Sequence, residues 1–163
     1  MGIRKAKIII EACGLSITPE EWVKMANETS WAMLEAEVVD LMPGVTRLIE
    51  HLHANNVPIG KFPIFFTKSL ITAAISTGST ETSMKLKRAG HEKLFDKFEF
   101  IVCCSTDPEV KQGKPHPDAF DVARRRFNPI PDPEKCLAFE DSTNGVKSAI
   151  SAGMQCVMVP GNF

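Results

Sequence analysis

The sequence predicts an α/β fold, a doubly wound parallel sheet preceded by a helical hairpin. Three observations predict it. Short apolar runs at 73–77, 100–104, 136–140 and 155–159 recur along the chain. Helical segments separate the later runs, a pattern that parallel strands require. Signals that stop helices stand at the segment ends, with Gly90 and Gly153 following helical stretches. The 163 residues are 44% hydrophobic and 24% charged, with a net charge of −1. That mix can fill a core and argues against a disordered chain. No long basic run suggests nucleic acid, and no apolar run is long enough to suggest a membrane span. The basic triplet 124–126 reads as a solvated helix face. Residues 1–13 do not read as a signal peptide.

The elements follow in order. Residues 1–13 read as a helix, with Gly14 in the place of a C-cap glycine. Thr18-Pro19-Glu20-Glu21 is a capping box with Pro at the first helical position. The helix it starts is expected to run to about residue 36. Its apolar face should carry Trp22, Met25, Ala26, Thr29, Ala32 and Met33. Pro43-Gly44 opens another helix, in which Val45, Leu48, Ile49 and Leu52 keep helical spacing up to Asn55-Asn56. Strand 73–77 leads into helix 82–89, strand 100–104 into helix 117–127, and strand 136–140 into helix 144–152. Strand 155–159 comes last. Such sheets are covered on both faces and bind ligands at the carboxyl ends of their strands.

The five cysteines, Cys13, Cys103, Cys104, Cys136 and Cys156, are odd in number and form no Cys-x-x-Cys. They read as reduced, mostly buried thiols of a cytoplasmic protein. His51 and His53 are two apart and would face different ways on a helix.

The informative residues lie at strand ends. Ser76-Thr77-Gly78-Ser79-Thr80 joins a strand to a helix. Its hydroxyls and backbone N–H groups could hold an anion, although ordinary helix capping would use the same residues. Gly113-Lys114-Pro115-His116-Pro117-Asp118 is a proline-stiffened loop that aims Lys114. A solvated lysine is the plainer account of it, and His116 reads as exposed. Glu140-Asp141 places two carboxylates directly after a strand, where hard oxygens suit Mg²⁺. Helix capping is the competing explanation for Asp141.

In this order the three elements resemble motifs two, three and four of the haloacid dehalogenase (HAD) superfamily of phosphatases. Leu41-Met42-Pro43-Gly44-Val45, Thr106-Asp107-Pro108-Glu109-Val110, Gly-Lys-Pro-x-Pro-Asp and Phe139-Glu140-Asp141 with Asn144-Gly145-Val146 are similar to the eukaryotic pseudouridine-5′-phosphatase branch. Gly153-Met154-Gln155 and Val157-Met158-Val159-Pro160 fit as well. The resemblance implies a HAD-like, Rossmannoid core at 41–163 and part of a helical cap at 1–40. It implies hydrolysis of a small phosphorylated metabolite, such as pseudouridine 5′-phosphate, through an aspartyl-phosphate and with Mg²⁺. On this resemblance Thr77, Gly78 and Lys114 bind phosphate, Lys114 also serves catalysis, and Glu140 and Asp141 hold the metal.

Two departures carry expectations of their own. The family's nucleophile lies in a strand ending Asp-x-Asp-Gly, and no Asp-x-Asp occurs in these 163 residues. The resemblance therefore implies a sheet lacking its first strand and a chain that is truncated and inactive as given. The alternative is a non-catalytic isoform that binds a phosphate ligand or a protein partner. Residues 60–73 have no counterpart in the family and carry three of the ten phenylalanines. This insertion reads as a translated intron, which a transcript containing all fourteen codons would contradict. Residues 62–67 could take the place of the first strand. The sequence leaves oligomeric state open.

Overall fold

The computed structural model describes residues 3–54 and 73–160. The insertion, apart from Ala73, and the strand suggested at 62–67 lie outside the described residues.

The chain begins with a helical hairpin, α1 (Ile3–Cys13) and α2 (Pro19–Ala36). Gly14 ends α1 at φ 62°, and the Leu15 N–H reaches back to the Ile10 carbonyl at 3.0 Å. Glycine fits because a Cβ is disfavoured in that left-handed conformation. The capping box is present. The Thr18 N–H donates to Glu21 at 2.8 Å, and the Glu21 N–H donates to the Thr18 hydroxyl at 3.2 Å. The expected apolar face of α2 needs correction. Met25 is 54% exposed and Met33 70%. The half-buried positions include Trp22, Val23, Ala26, Asn27, Trp31 and Leu34, so the inward stripe is rotated around the helix. α2 fully buries no residue, which leaves its methionines free to face solvent.

α3 (Val45–Ala54) buries Ile49 against Leu94, with Leu41, Leu52 and Phe98 around them. The core then alternates strand and helix: β1 (Ile75–Thr77), α4 (Glu81–Arg88), α5 (Glu92–Phe95), β2 (Ile101–Cys103), α6 (Asp118–Arg125), β3 (Leu137–Glu140), α7 (Thr143–Ser151) and β4 (Gln155–Met158). The four expected strands are there, each trimmed at its ends. The one-turn helix α5 and a 3₁₀ turn at Pro133–Lys135 had no periodic signal because each is shorter than one apolar repeat.

The strands form two parallel pairs. β1 pairs with β2 with Ser76 opposite Val102, and β3 pairs with β4 with Ala138 opposite Cys156. Among the described residues no strand joins β1 to β3. α6 supplies Val122 and Ala123 to one core patch with Val102, and both valines are fully buried. Each such valine contributes about 1.5–3 kcal/mol. A second patch joins Phe120 to Ala138, Ala149 and Ala152.

Three further expectations change. The sheet is not covered on both faces among the described residues. Leu137 and Phe139 are 55% and 50% exposed, because alternation along β3 turns Ala138 and Glu140 inward instead. The basic triplet is not simply solvated: Arg124 donates to the Pro131 carbonyl at 3.0 Å, and Arg126 grips Asp107 and Glu109. The cysteines are all unbridged, but only Cys103 is buried.

Candidate active site

The hydroxyl-rich turn after β1 divides its labour. Thr80 caps α4, accepting from the Ser83 N–H at 3.2 Å. Thr77 does not cap the helix. Its hydroxyl oxygen accepts from the Ser79 N–H at 3.2 Å, leaving its own O–H to donate. Gly78 is exposed, and its carbonyl accepts from the Ser105 hydroxyl at 2.7 Å. Capping is thus met by a residue other than those expected to bind phosphate.

The loop after β2 is built to hold Lys114. The Asp118 carboxylate accepts from the N–H groups of Gln112 and Lys111, both at 2.9 Å. These bonds favour its charged form and hold its pKa below the usual carboxylate value, the Gln112 bond contributing most. The fully buried Ser148 of α7 donates its hydroxyl to the His116 carbonyl at 2.6 Å. Arg126 anchors the start of the loop through Asp107, whose pKa it holds down by hydrogen bonding.

So held, the Lys114 ammonium donates to the Ser76 carbonyl at 3.0 Å and pairs with the Glu140 carboxylate. It also lies 4.7 Å from the centroid of the Phe120 ring, within cation–π reach. One side chain therefore ties the C-terminal end of β1 to that of β3 and links the two strand pairs. Both partners are largely withdrawn from solvent, Lys114 at 15% and Glu140 at 8% side-chain exposure.

Glu140 and Asp141 play different parts. Glu140 is buried against Lys114, and a Cβ on Gly145 would stand 1.8 Å from its second carboxylate oxygen. Gly145 is what lets α7 start close beside that carboxylate. Asp141 is exposed, and the cap of α7 is Ser142, which accepts from the Gly145 N–H at 3.1 Å. The capping account of Asp141 fails, and its oxygens are left open to a ligand. Among the described residues no group of three or more His, Cys, Asp or Glu gathers to hold a metal. Mg²⁺ accepts one or two carboxylates and retains its waters. The Asp141 carboxylate is open to such a cation, and the Glu140 carboxylate beside it is paired with Lys114.

Sequence reasoning did not single out Ser148, Asp118 or Gly145 for these tasks. Asp118 carried a detectable signal, as an acid closing a proline-stiffened loop at a helix start. Ser148, inside a helix, carried none.

The sequence model for haloacid dehalogenase-like hydrolases matches residues 6–153. The protein described as "Probable pseudouridine-5′-phosphatase" of Drosophila melanogaster is 41% identical over 155 residues, covering 95% of this chain and 60% of that protein. (DL)-glycerol-3-phosphatase 2 of Arabidopsis thaliana is 39% identical over 159 residues, covering 97% and 60% respectively. The chain thus spans about 60% of the length of these curated relatives. In fold it is similar to the crystal structure of CbbY from Rhodobacter sphaeroides in complex with phosphate. That likeness has a TM-score of 0.65 at 23% identity, over 90% of this chain and 57% of that one. A HAD hydrolase of Entamoeba histolytica gives a TM-score of 0.65 at 24% identity, over 94% and 62%. With 6–153 matched and the Lys114 bridge between β1 and β3 in place, the chain belongs to the haloacid dehalogenase-like hydrolase family.

Proposed function

We propose that this chain carries the phosphate- and magnesium-binding part of a phosphomonoesterase acting on small phosphorylated metabolites. Pseudouridine 5′-phosphate is the first candidate substrate and glycerol 3-phosphate the second, by the names of the relatives. The observation that carries the reading is Lys114, brought from a distant loop to the Ser76 carbonyl beside Thr77 and to Glu140 beside Asp141. Thr77 donates its hydroxyl to a phosphate oxygen, and Gly78 offers a backbone N–H free of side-chain hindrance. Lys114 neutralises the anion, and Glu140 keeps that ammonium in place. Asp141 would hold Mg²⁺, which when bound draws charge from the phosphate oxygens. Five unbridged thiols fit the reducing cytoplasm.

A second reading rests on the absence of Asp-x-Asp from these 163 residues. With no such aspartate to accept the phosphoryl group, the chain binds a phosphate ligand or a partner without turnover. Both readings are tested by Mg²⁺-dependent phosphate release from the two candidate substrates, alongside binding of inorganic phosphate. Binding without turnover is the expected result for these residues alone. Turnover abolished by Asp141→Asn contradicts the second reading. Loss of both binding and turnover sinks the phosphomonoesterase reading.

A further inference from the structure

His116 stands two residues after Lys114, and its side chain is 40% exposed, open to proton exchange with solvent yet packed on one side. Its Nδ1 lies 3.4 Å from Oδ1 of Asp118, and its Nε2 lies 3.3 Å from the side-chain nitrogen of Gln112. The Asp118 carboxylate is divided between two tasks. Oδ2 accepts from the N–H groups of Lys111 and Gln112, both at 2.9 Å, while Oδ1 faces the imidazole. From α6, Arg125 acts on the same carboxylate. From α7, the neutral hydroxyl of Ser148 holds the His116 carbonyl at 2.6 Å. Asp118 is the acid within ion-pair distance of the ring. It grips the chain just before Lys114, and Ser148 grips it just after.

Resting on the phosphate reading above, we propose that His116 is a positioning residue for Lys114, and that its protonation tightens the phosphate site through Asp118. A neutral imidazole has one acceptor nitrogen and one N–H. The backbone N–H of Asp118, at 3.4 Å, and the Gln112 amide approach its two nitrogens. It cannot accept from both and still donate to the carboxylate. The imidazolium donates from Nδ1 to Oδ1, and a charge-assisted bond is the stronger one. That bond fixes Asp118, and with it the backbone of Lys111 and Gln112. Lys114 already has partners at the tip of its side chain, the Ser76 carbonyl and Glu140. What His116 adds is a fixed backbone beneath that side chain. Histidine gains its charge as pH falls through about 6.5, so anion affinity rises as pH falls. Asp118 keeps its charge throughout, the Gln112 N–H bond foremost among the contacts that hold its pKa below the usual carboxylate value.

The test is a set of NMR titrations of the 15N-labelled chain with sulfate, a tetrahedral anion whose charge stays constant while histidine titrates. The Thr77 and Gly78 amide signals report binding, and the His116 ring signals report its protonation. Sulfate should bind about threefold tighter at about pH 5.5 than at about pH 8, and by linkage its saturation should raise the His116 midpoint by about half a pH unit. His116→Gln should give one affinity at both pH values. Asp118→Asn should do the same although its histidine still titrates, because the ring then has no carboxylate to hold. The proposal is overturned if native affinity is equal at the two pH values, or if the dependence survives His116→Gln. Dependence that survives Asp118→Asn overturns it too, since the imidazolium then attracts the anion by charge alone. Thr77 and Gly78 signals unmoved by sulfate at both pH values overturn the phosphate reading as well.

Discussion

The strand-bearing core and the N-terminal helical hairpin are built on different terms. In the core, Lys114, Glu140 and Ser148 are polar groups withdrawn from solvent and bonded to named partners. In the hairpin, α2 buries no residue fully, and a long-range hydrogen bond to the core runs from Trp31 to Ser83 at a part-buried position. Buried polar groups are costly to leave unpaired, whereas exposed side chains are cheap to change. The contrast teaches that the ends of β1 and β3 are held by buried, paired groups, while α2 rests on the core with no fully buried residue.

Substitutions can break that contrast, and the largest effect is expected at the ion pair. Glu140→Leu leaves Lys114 unpaired and should cost about 3 kcal/mol in urea unfolding. Adding Lys114→Met should recover most of that loss, since an apolar pair needs no counter-charge. If the double variant is as unstable as the single one, the pair is not what Glu140 supplies. Gly145→Ala comes next. Its Cβ would collide with the Glu140 carboxylate and drive it off Lys114, at a cost of about 1–3 kcal/mol.

Asp107 gives a pH-dependent effect. Its pKa is held below the unfolded value, mainly by its hydrogen bond to Arg126. The stabilisation is therefore fully present above the unfolded pKa, about 3.9, and is lost as pH falls through the lower folded value. Asp107→Asn should lower the melting temperature at pH 7 and bring the two proteins together near pH 2. An equal gap at both values would assign the effect to packing. The smallest effect is expected on α2. Met33→Ser should change stability by no more than about 0.5 kcal/mol, because Met33 is 70% exposed. A loss of several times that would show an α2 face bound more firmly than the contrast allows.

Much of this was legible in the residues, for identifiable reasons. Capping boxes and left-handed glycines act locally, so Thr18–Glu21, Gly14 and Gly153 marked real helix ends. The four strands were readable as apolar runs, and the positions of Thr77, Lys114 and Asp141 at a strand end, on a stiff loop and after a strand could be read from three local motifs. What was not legible depends on tertiary partners. The inward stripe of α2 is set by where α4 lies, so propensity and spacing alone placed Met25 and Met33 on the wrong side. Arg126 looked solvated because Asp107, its partner, is nineteen positions away. Glu140 and Asp141 looked equivalent as adjacent acids. Strand alternation separates them, turning one onto Lys114 and leaving the other in solvent.

The central claim is that Lys114 completes a phosphate site at the end of β1. Its most direct test is titration of the 15N-labelled chain with inorganic phosphate, comparing the native chain with Lys114→Met. The account predicts saturable movement of the Thr77 and Gly78 amide signals in the native chain and its loss in the variant. Unmoved signals in the native chain, or movement that survives Lys114→Met, would contradict it.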